Sequence, residues 1–250
     1  VQATQFVQAT QSVPATRSLR ATRLPRLLRC TATVSVLIAA LAACSAPSEE
    51  ENGAAATESS SAAGGGELEG VENFYGEYGD YTTAIAAIQN GEVTAEELEY
   101  PFVVQQEHVD IATGWDGTLP VYDLVPPAGG NHLSAWQTCT GSVYPAPIAD
   151  GNAVHSMEHG AVWLTYDPAL IEEASVAALG LLIQGRDYSL MSPYPGQGVA
   201  VSLQSWGNRY QTEDPADPMI EAYLDTYILN ERFNPEAMAT CSGGVSTTVS

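Results

Sequence analysis

The 250 residues carry thirty acidic and eight basic side chains, a formal net charge of −22, and every basic residue is arginine. A surface this acidic repels phosphate backbones and anionic headgroups, which argues against a nucleic-acid partner and favours solubility and attraction of cations. A solvated acidic surface of the kind common in secreted or salt-adapted proteins explains the charge without a dedicated acidic binding site.

Residues 1–43 read as a secretory signal. Arg17, Arg20, Arg23, Arg26 and Arg29 occur there without any acid, and an uncharged apolar run follows from Ala32 to Ala43. At about a dozen residues the run is short for a bilayer span. The repeated Val-Gln-Ala-Thr-Gln pattern within Val1 to Pro25 has the look of upstream sequence read from a misplaced start. Leu41-Ala42-Ala43-Cys44 has the form of a bacterial lipobox, so Cys44 is expected to be lipidated and to open the mature chain. A plain signal peptide with an incidental cysteine is the alternative. The expected location is the extracytoplasmic face of the cell membrane, with the membrane surface as partner through that lipid. Three arginines then face thirty acids, a mature net charge of −27.

Residues 44–71 are mostly Ser, Ala, Gly and Glu. That composition cannot bury enough surface to offset ordering entropy, so a disordered acidic tether is expected. The folded domain is placed at 72–244. Within it, Tyr81 to Gln89 reads as a helix, and Thr94-Ala95-Glu96-Glu97 is a capping-box pattern for a short one. A short helix or turn is expected from about Asn152, stopping at Gly160 as a left-handed cap before a strand at Ala161 to Tyr166. Asp167-Pro168 offers an N-cap and first-turn proline for a helix running to Gly185. Strands follow at Tyr188 to Met191 and Val199 to Leu203, separated by the turn Ser192-Pro193-Tyr194-Pro195-Gly196. Asp217-Pro218 repeats the capping device before a stripe of Met219, Ile220, Tyr223, Leu224, Tyr227 and Ile228. The order β-α-β-β-α indicates a single α+β domain with a mostly antiparallel sheet flanked by helices, and both ferredoxin-like and thioredoxin-like arrangements fit it.

With Cys30 in the signal and Cys44 assigned to lipid, Cys139 and Cys241 remain. In an oxidising compartment they most simply form one disulfide tying the chain's end to its middle. The competing reading makes Cys139 a metal thiolate near His132.

All four histidines lie between His108 and His159, which marks this stretch as a candidate site. In a helix, His155 and His159 share one face closely enough to hold one ion; in a strand they stand roughly 13 Å apart and cannot. His132, in the loop Gly129-Gly130-Asn131-His132, and His108 complete a set suited to zinc, copper or nickel, with Met157 or Met191 tilting the choice toward copper. His155-Ser156-Met157-Glu158-His159 also fits His-x-x-Glu-His, an inverted zinc-peptidase pattern in which Glu158 activates water. The other possibility is that the histidines only hydrogen-bond backbone carbonyls around a polar core.

The motifs taken in order, Pro126-Pro127-Ala128-Gly129-Gly130-Asn131-His132, Trp136-Gln137-Thr138-Cys139, His155 through Trp163, Ser192 through Gly196, Ser205-Trp206-Gly207 and Cys241-Ser242-Gly243-Gly244, resemble the bacterial family known as domain of unknown function 3105. The resemblance spans roughly residues 100 to 244. It implies an exported, membrane-anchored chain and marks the His-x-x-Glu-His-Gly string and the Gly-x-His turn as family features, without implying an activity. Met157 stands where the family pattern usually has leucine, and Ser205 where alanine is common.

Three functions fit these residues. The first is a lipoprotein that binds copper or zinc through His132, His155 and His159, with His108 as a fourth ligand and Glu158 as a partner that orients a ligand histidine or acts as base. The second is a metal-dependent hydrolase using Glu158. The third is a non-enzymatic structural or interaction module of the cell envelope.

Overall fold

The computed structural model describes residues 68–109 and 120–249, all within the compact unit Ser59–Ser250. The expected signal, Cys30, Cys44 and most of the expected tether lie outside the described residues. Leu68 and Val71, at the end of that tether, already pack against the core. The strands are β1 (Glu72–Asn73), β2 (His108–Val109), β3 (His132–Leu133), β4 (Thr140–Val143), β5 (Val162–Tyr166), β6 (Ser189–Pro193), β7 (Val201–Ser205) and β8 (Asn208–Thr212). The helices are α1 (Tyr81–Gln89), α2 (Asp150–Glu158), α3 (Glu173–Ile183) and α4 (Met219–Tyr227). Among the described residues no helix is long and apolar enough to cross a membrane.

Six strands form one sheet in the order β1-β8-β7-β5-β6-β4, and β2 and β3 form a separate parallel pair. The β1–β8, β8–β7 and β7–β5 pairings are antiparallel, and β5–β6 and β6–β4 are parallel. The fold is therefore α+β with a mostly antiparallel sheet. Because β5 and β6 are nearest neighbours joined through α3, the split β-α-β unit of a ferredoxin-like sheet is not formed. Strands β5, β6 and β7 are buried along their whole length, as expected of strands covered on both faces. Helix α3 packs on β4 and β6, α4 on β7, and α2 on β5 and β3.

Local chemistry explains most of the boundaries. Asp80 caps α1 by accepting from the Thr83 backbone N–H at 2.8 Å, and Asp217 accepts from the Met219 N–H at 2.9 Å to start α4. Asp167 does not start a helix. Its carboxylate accepts from the Ala169 and Gly196 N–H groups, closing a turn and fastening it to the Pro-Tyr-Pro-Gly loop, so α3 begins only at Glu173. The helix expected from Asp167 is correspondingly shorter, and Leu170 and Leu181 are exposed. The α4 stripe does enter the core through Ile220, Tyr223, Leu224 and Tyr227. Gly160 adopts a φ of 102°, a conformation that releases the chain from α2 directly into β5.

Cys139 and Cys241 are at disulfide distance, with sulfurs 1.96 Å apart. The C-terminal strap beyond Cys241 runs beside the same segment: the Thr138 N–H donates to the Val245 carbonyl and the Val245 N–H to the Trp136 carbonyl. Ordered contacts thus continue past residue 244, to Val249 on the Pro147 carbonyl.

Candidate metal centre

Two supports bring the site together. Helix α2 carries His155 and Glu158, three residues apart and so on one face. The β2–β3 pair carries His108 and His132, which are direct partners in its register. Gly151 lets the two supports approach, since a Cβ there would lie 2.7 Å from the Leu133 side chain. Asn152 Nδ2 donates to the Ala135 carbonyl and Ser156 Oγ to the Gln137 carbonyl, fixing α2 against the segment after β3. On the far side Trp206 meets the His132 ring edge-on and donates from Nε1 to the Val103 carbonyl at 2.8 Å. The Gly207 N–H donates to the Ala128 carbonyl at the foot of the histidine loop.

Potential ligand atoms of His108, His132, His155 and Glu158 all lie within 4.8 Å of one another. Glu158 Oε2 is 3.0 Å from His132 Nε2 and 3.2 Å from His108 Nε2. Metal–ligand bonds of about 2.0–2.1 Å put neighbouring ligands of a tetrahedral ion roughly 3.3 Å apart, so this spacing suits a shared ion. His132, His155 and Glu158 are buried, whereas the His108 side chain is 43% exposed and marks the side open to solvent.

The backbone fixes the tautomers. His132 Nδ1 lies 2.8 Å from the Gly130 carbonyl, and His155 Nδ1 lies 2.7 Å from the Leu133 carbonyl. A carbonyl can only accept, so both Nδ1 atoms carry the proton and donate it, leaving each Nε2 with its lone pair for the centre. His132 Nε2 is buried and makes no hydrogen bond despite its closeness to Glu158, because the direction of the contact is wrong for one. Two electron-rich atoms face each other there, an arrangement that a cation between them relieves.

Electrostatics keep the donors available. Burial pushes His155 down to about 4, outweighing the Leu133 carbonyl, and the neighbouring imidazoles add to the effect. Burial raises the Glu158 carboxyl, but His132 and His108 in their protonated forms more than offset this by hydrogen bonding and charge, so its pKa falls below the usual carboxylate value, and a metal ion in place of those protons would act in the same sense. The group therefore presents neutral His155 and anionic Glu158 near neutral pH, the forms that bind metal.

His159 stands beside the group without joining it. Its ring centroid is 4.6 Å from that of His155, Trp136 packs on both rings, and its Nδ1 donates to the Thr240 carbonyl at 2.9 Å. Burial lowers its pKa too. His159 keeps helical backbone angles as the C-cap residue of α2, but its ring is tied to the Thr240 carbonyl, and Glu158 takes the place in the group. Met157 and Met191 are fully buried in the apolar core. With its sulfur at disulfide distance from that of Cys241, Cys139 is no thiolate ligand.

The molecule is thus an α+β domain whose helix and two-strand ribbon converge on three imidazoles and a carboxylate able to hold a metal ion. The chain belongs to the family described as protein of unknown function DUF3105, whose pattern matches residues 117–243. His132, His155, Glu158 and both Cys139 and Cys241 fall inside the match, and His108 precedes it. No curated protein matches the chain, and no solved structure does.

Proposed function

We propose that this protein is a lipid-anchored extracytoplasmic domain that binds one divalent transition-metal ion, zinc or copper, through His108, His132, His155 and Glu158. The observation that carries the reading is the pair of Nδ1–carbonyl bonds at His132 and His155, which aims two buried lone pairs at a buried carboxylate. Outer partners of this kind orient metal-binding histidines. Three nitrogens and one oxygen suit zinc, and imidazole serves copper equally well. Glu158 lies at ligand distance from two imidazoles, which favours a binding role over that of a free base in a hydrolase.

The test is metal analysis of the tag-free full chain after chelation, reloading and desalting. One equivalent of zinc or copper per chain is expected, falling to a small fraction in His132→Ala. Absence of stoichiometric metal in the parent protein contradicts the proposal.

A further inference from the structure

The β2–β3 ribbon is a partition with different chemistry on its two faces. His108 and His132 point to the metal centre, while the residues beside them in sequence, Glu107, Val109 and Asn131, line a separate cleft of about 670 Å³. This follows from strand alternation, which sends successive side chains to opposite faces. A cleft of this size is within the range that holds a small molecule.

Its walls are aromatic and its charge is of one sign. Phe102 and Tyr122 close over a bare backbone floor, because Cβ atoms on Gly129 and Gly130 would lie 3.3 Å and 3.5 Å from these two rings. Tyr100 backs Phe102 edge-on, and the Tyr122 hydroxyl donates to the Asn131 carbonyl, so the ring faces are held in place. Glu99, Glu107 and Asp123 stand in the same lining, which contains no Lys, Arg or His. No arginine in the folded region is left to neutralise them: Arg186 pairs with Asp225 and Glu221, Arg209 with Glu72, and Arg232 with Asp80.

We infer that this cleft binds a soluble organic ammonium compound, its cationic head against the Tyr122 and Phe102 rings and the carboxylates at the rim. Alkylated ammonium ions combine weak hydration with attraction to aromatic faces, which matches rings flanked by carboxylates. A free compound is preferred to a lipid headgroup, whose phosphate would be brought toward Glu99, Glu107 and Asp123. The inference goes beyond the metal reading and does not depend on it, since no proposed ligand residue lines the cleft.

The experiment is calorimetric titration of the full chain with choline and with its uncharged analogue bearing a tert-butyl group in place of trimethylammonium. Choline is expected to bind with a Kd of about 1 mM or tighter, and the uncharged analogue roughly tenfold more weakly. Glu107→Gln, at an exposed position, and Tyr122→Ala should each weaken choline roughly fivefold. Glu107→Gln keeps the test interpretable if loss of the Tyr122 hydroxyl disturbs the loop. Equal binding of the two probes, no choline binding, or full choline affinity in Glu107→Gln overturns the assignment. Tyr122-dependent sedimentation with phosphatidylcholine vesicles, in place of binding to free choline, overturns it as well.

Discussion

His132 Nε2 and Glu158 Oε2 lie 3.0 Å apart in the interior of the domain, and the contact lacks the geometry of a hydrogen bond. The His132 proton is already committed to the Gly130 carbonyl. Neutral His132 therefore turns a lone pair toward a buried carboxylate, an arrangement relieved by a shared cation, whether a metal ion or a second proton on the imidazole.

From this relationship the effect of Glu158→Gln should depend on metal. In zinc-loaded protein the substitution removes a charged ligand and should weaken zinc at least about tenfold, with a lower Tm. In chelated protein Glu158 still has the His108 and His132 imidazoles beside it, so its loss should also destabilise, but by less than in the loaded protein. Thermal unfolding of both proteins with and without zinc checks this; the same destabilisation in both states contradicts it.

How much of this arrangement could be read in advance follows from the residues involved. The α4 start was legible because Asp217 performs the capping its sequence advertises, and Tyr81 to Gln89 is helical as its pattern indicates, with Asp80 supplying a cap not anticipated from the sequence. Asp167 looked the same and makes the equivalent bond to Ala169, yet no helix follows until Glu173, and its second oxygen is taken by the Gly196 N–H of a distant loop. β8, Asn208–Thr212, is polar and only half-buried, so no apolar run announced it. At the site, residues three and four apart share a helix face, so the spacing alone allowed either Glu158 or His159 to accompany His155. The chain's C-terminal segment separates them, since the Thr240 carbonyl engages His159 Nδ1 while Glu158 lies against His132 and His108. His108 sits on a strand of two residues, too short for any periodic signal, and only its pairing with His132 places it.

Trp206 connects the hairpin between β7 and β8 to the site. Trp206→Phe keeps an aromatic ring but leaves the Val103 carbonyl without its donor, at a cost of about 1–3 kcal/mol. Because the same ring flanks His132, zinc affinity should fall together with stability. Denaturant unfolding and a competitive chelator titration measure the two effects.

The disulfide closes a separation of 102 residues and fastens the strap that includes Thr240 and Val245. The double substitution Cys139→Ala with Cys241→Ala should cost about 2–5 kcal/mol in urea unfolding. The His159–Thr240 contact should loosen with it, whereas zinc stoichiometry should hold because none of the four proposed ligands lies on the strap.

Acid should weaken the fold through Asp80 in a defined window. Burial works to raise this carboxyl, but the Thr83 N–H, the Arg232 guanidinium and the Thr82 hydroxyl together hold it at about 2, below its ordinary value of 3.8. A depressed carboxylate contributes stability that is present above the unfolded value and lost as pH falls through the folded one. The contribution should therefore disappear between about pH 4 and pH 2. Asp80→Asn should flatten the unfolding free energy against pH across that interval, and an unchanged slope contradicts the assignment.

X-ray absorption at the zinc edge of the reloaded full chain tests the centre most directly, because acidic surface groups can also retain metal. The arrangement of His108, His132, His155 and Glu158 predicts three imidazole nitrogens and one carboxylate oxygen at about 2.0–2.2 Å, with the multiple scattering of histidine rings. A shell of oxygen atoms alone, or one with a single imidazole, would contradict the account.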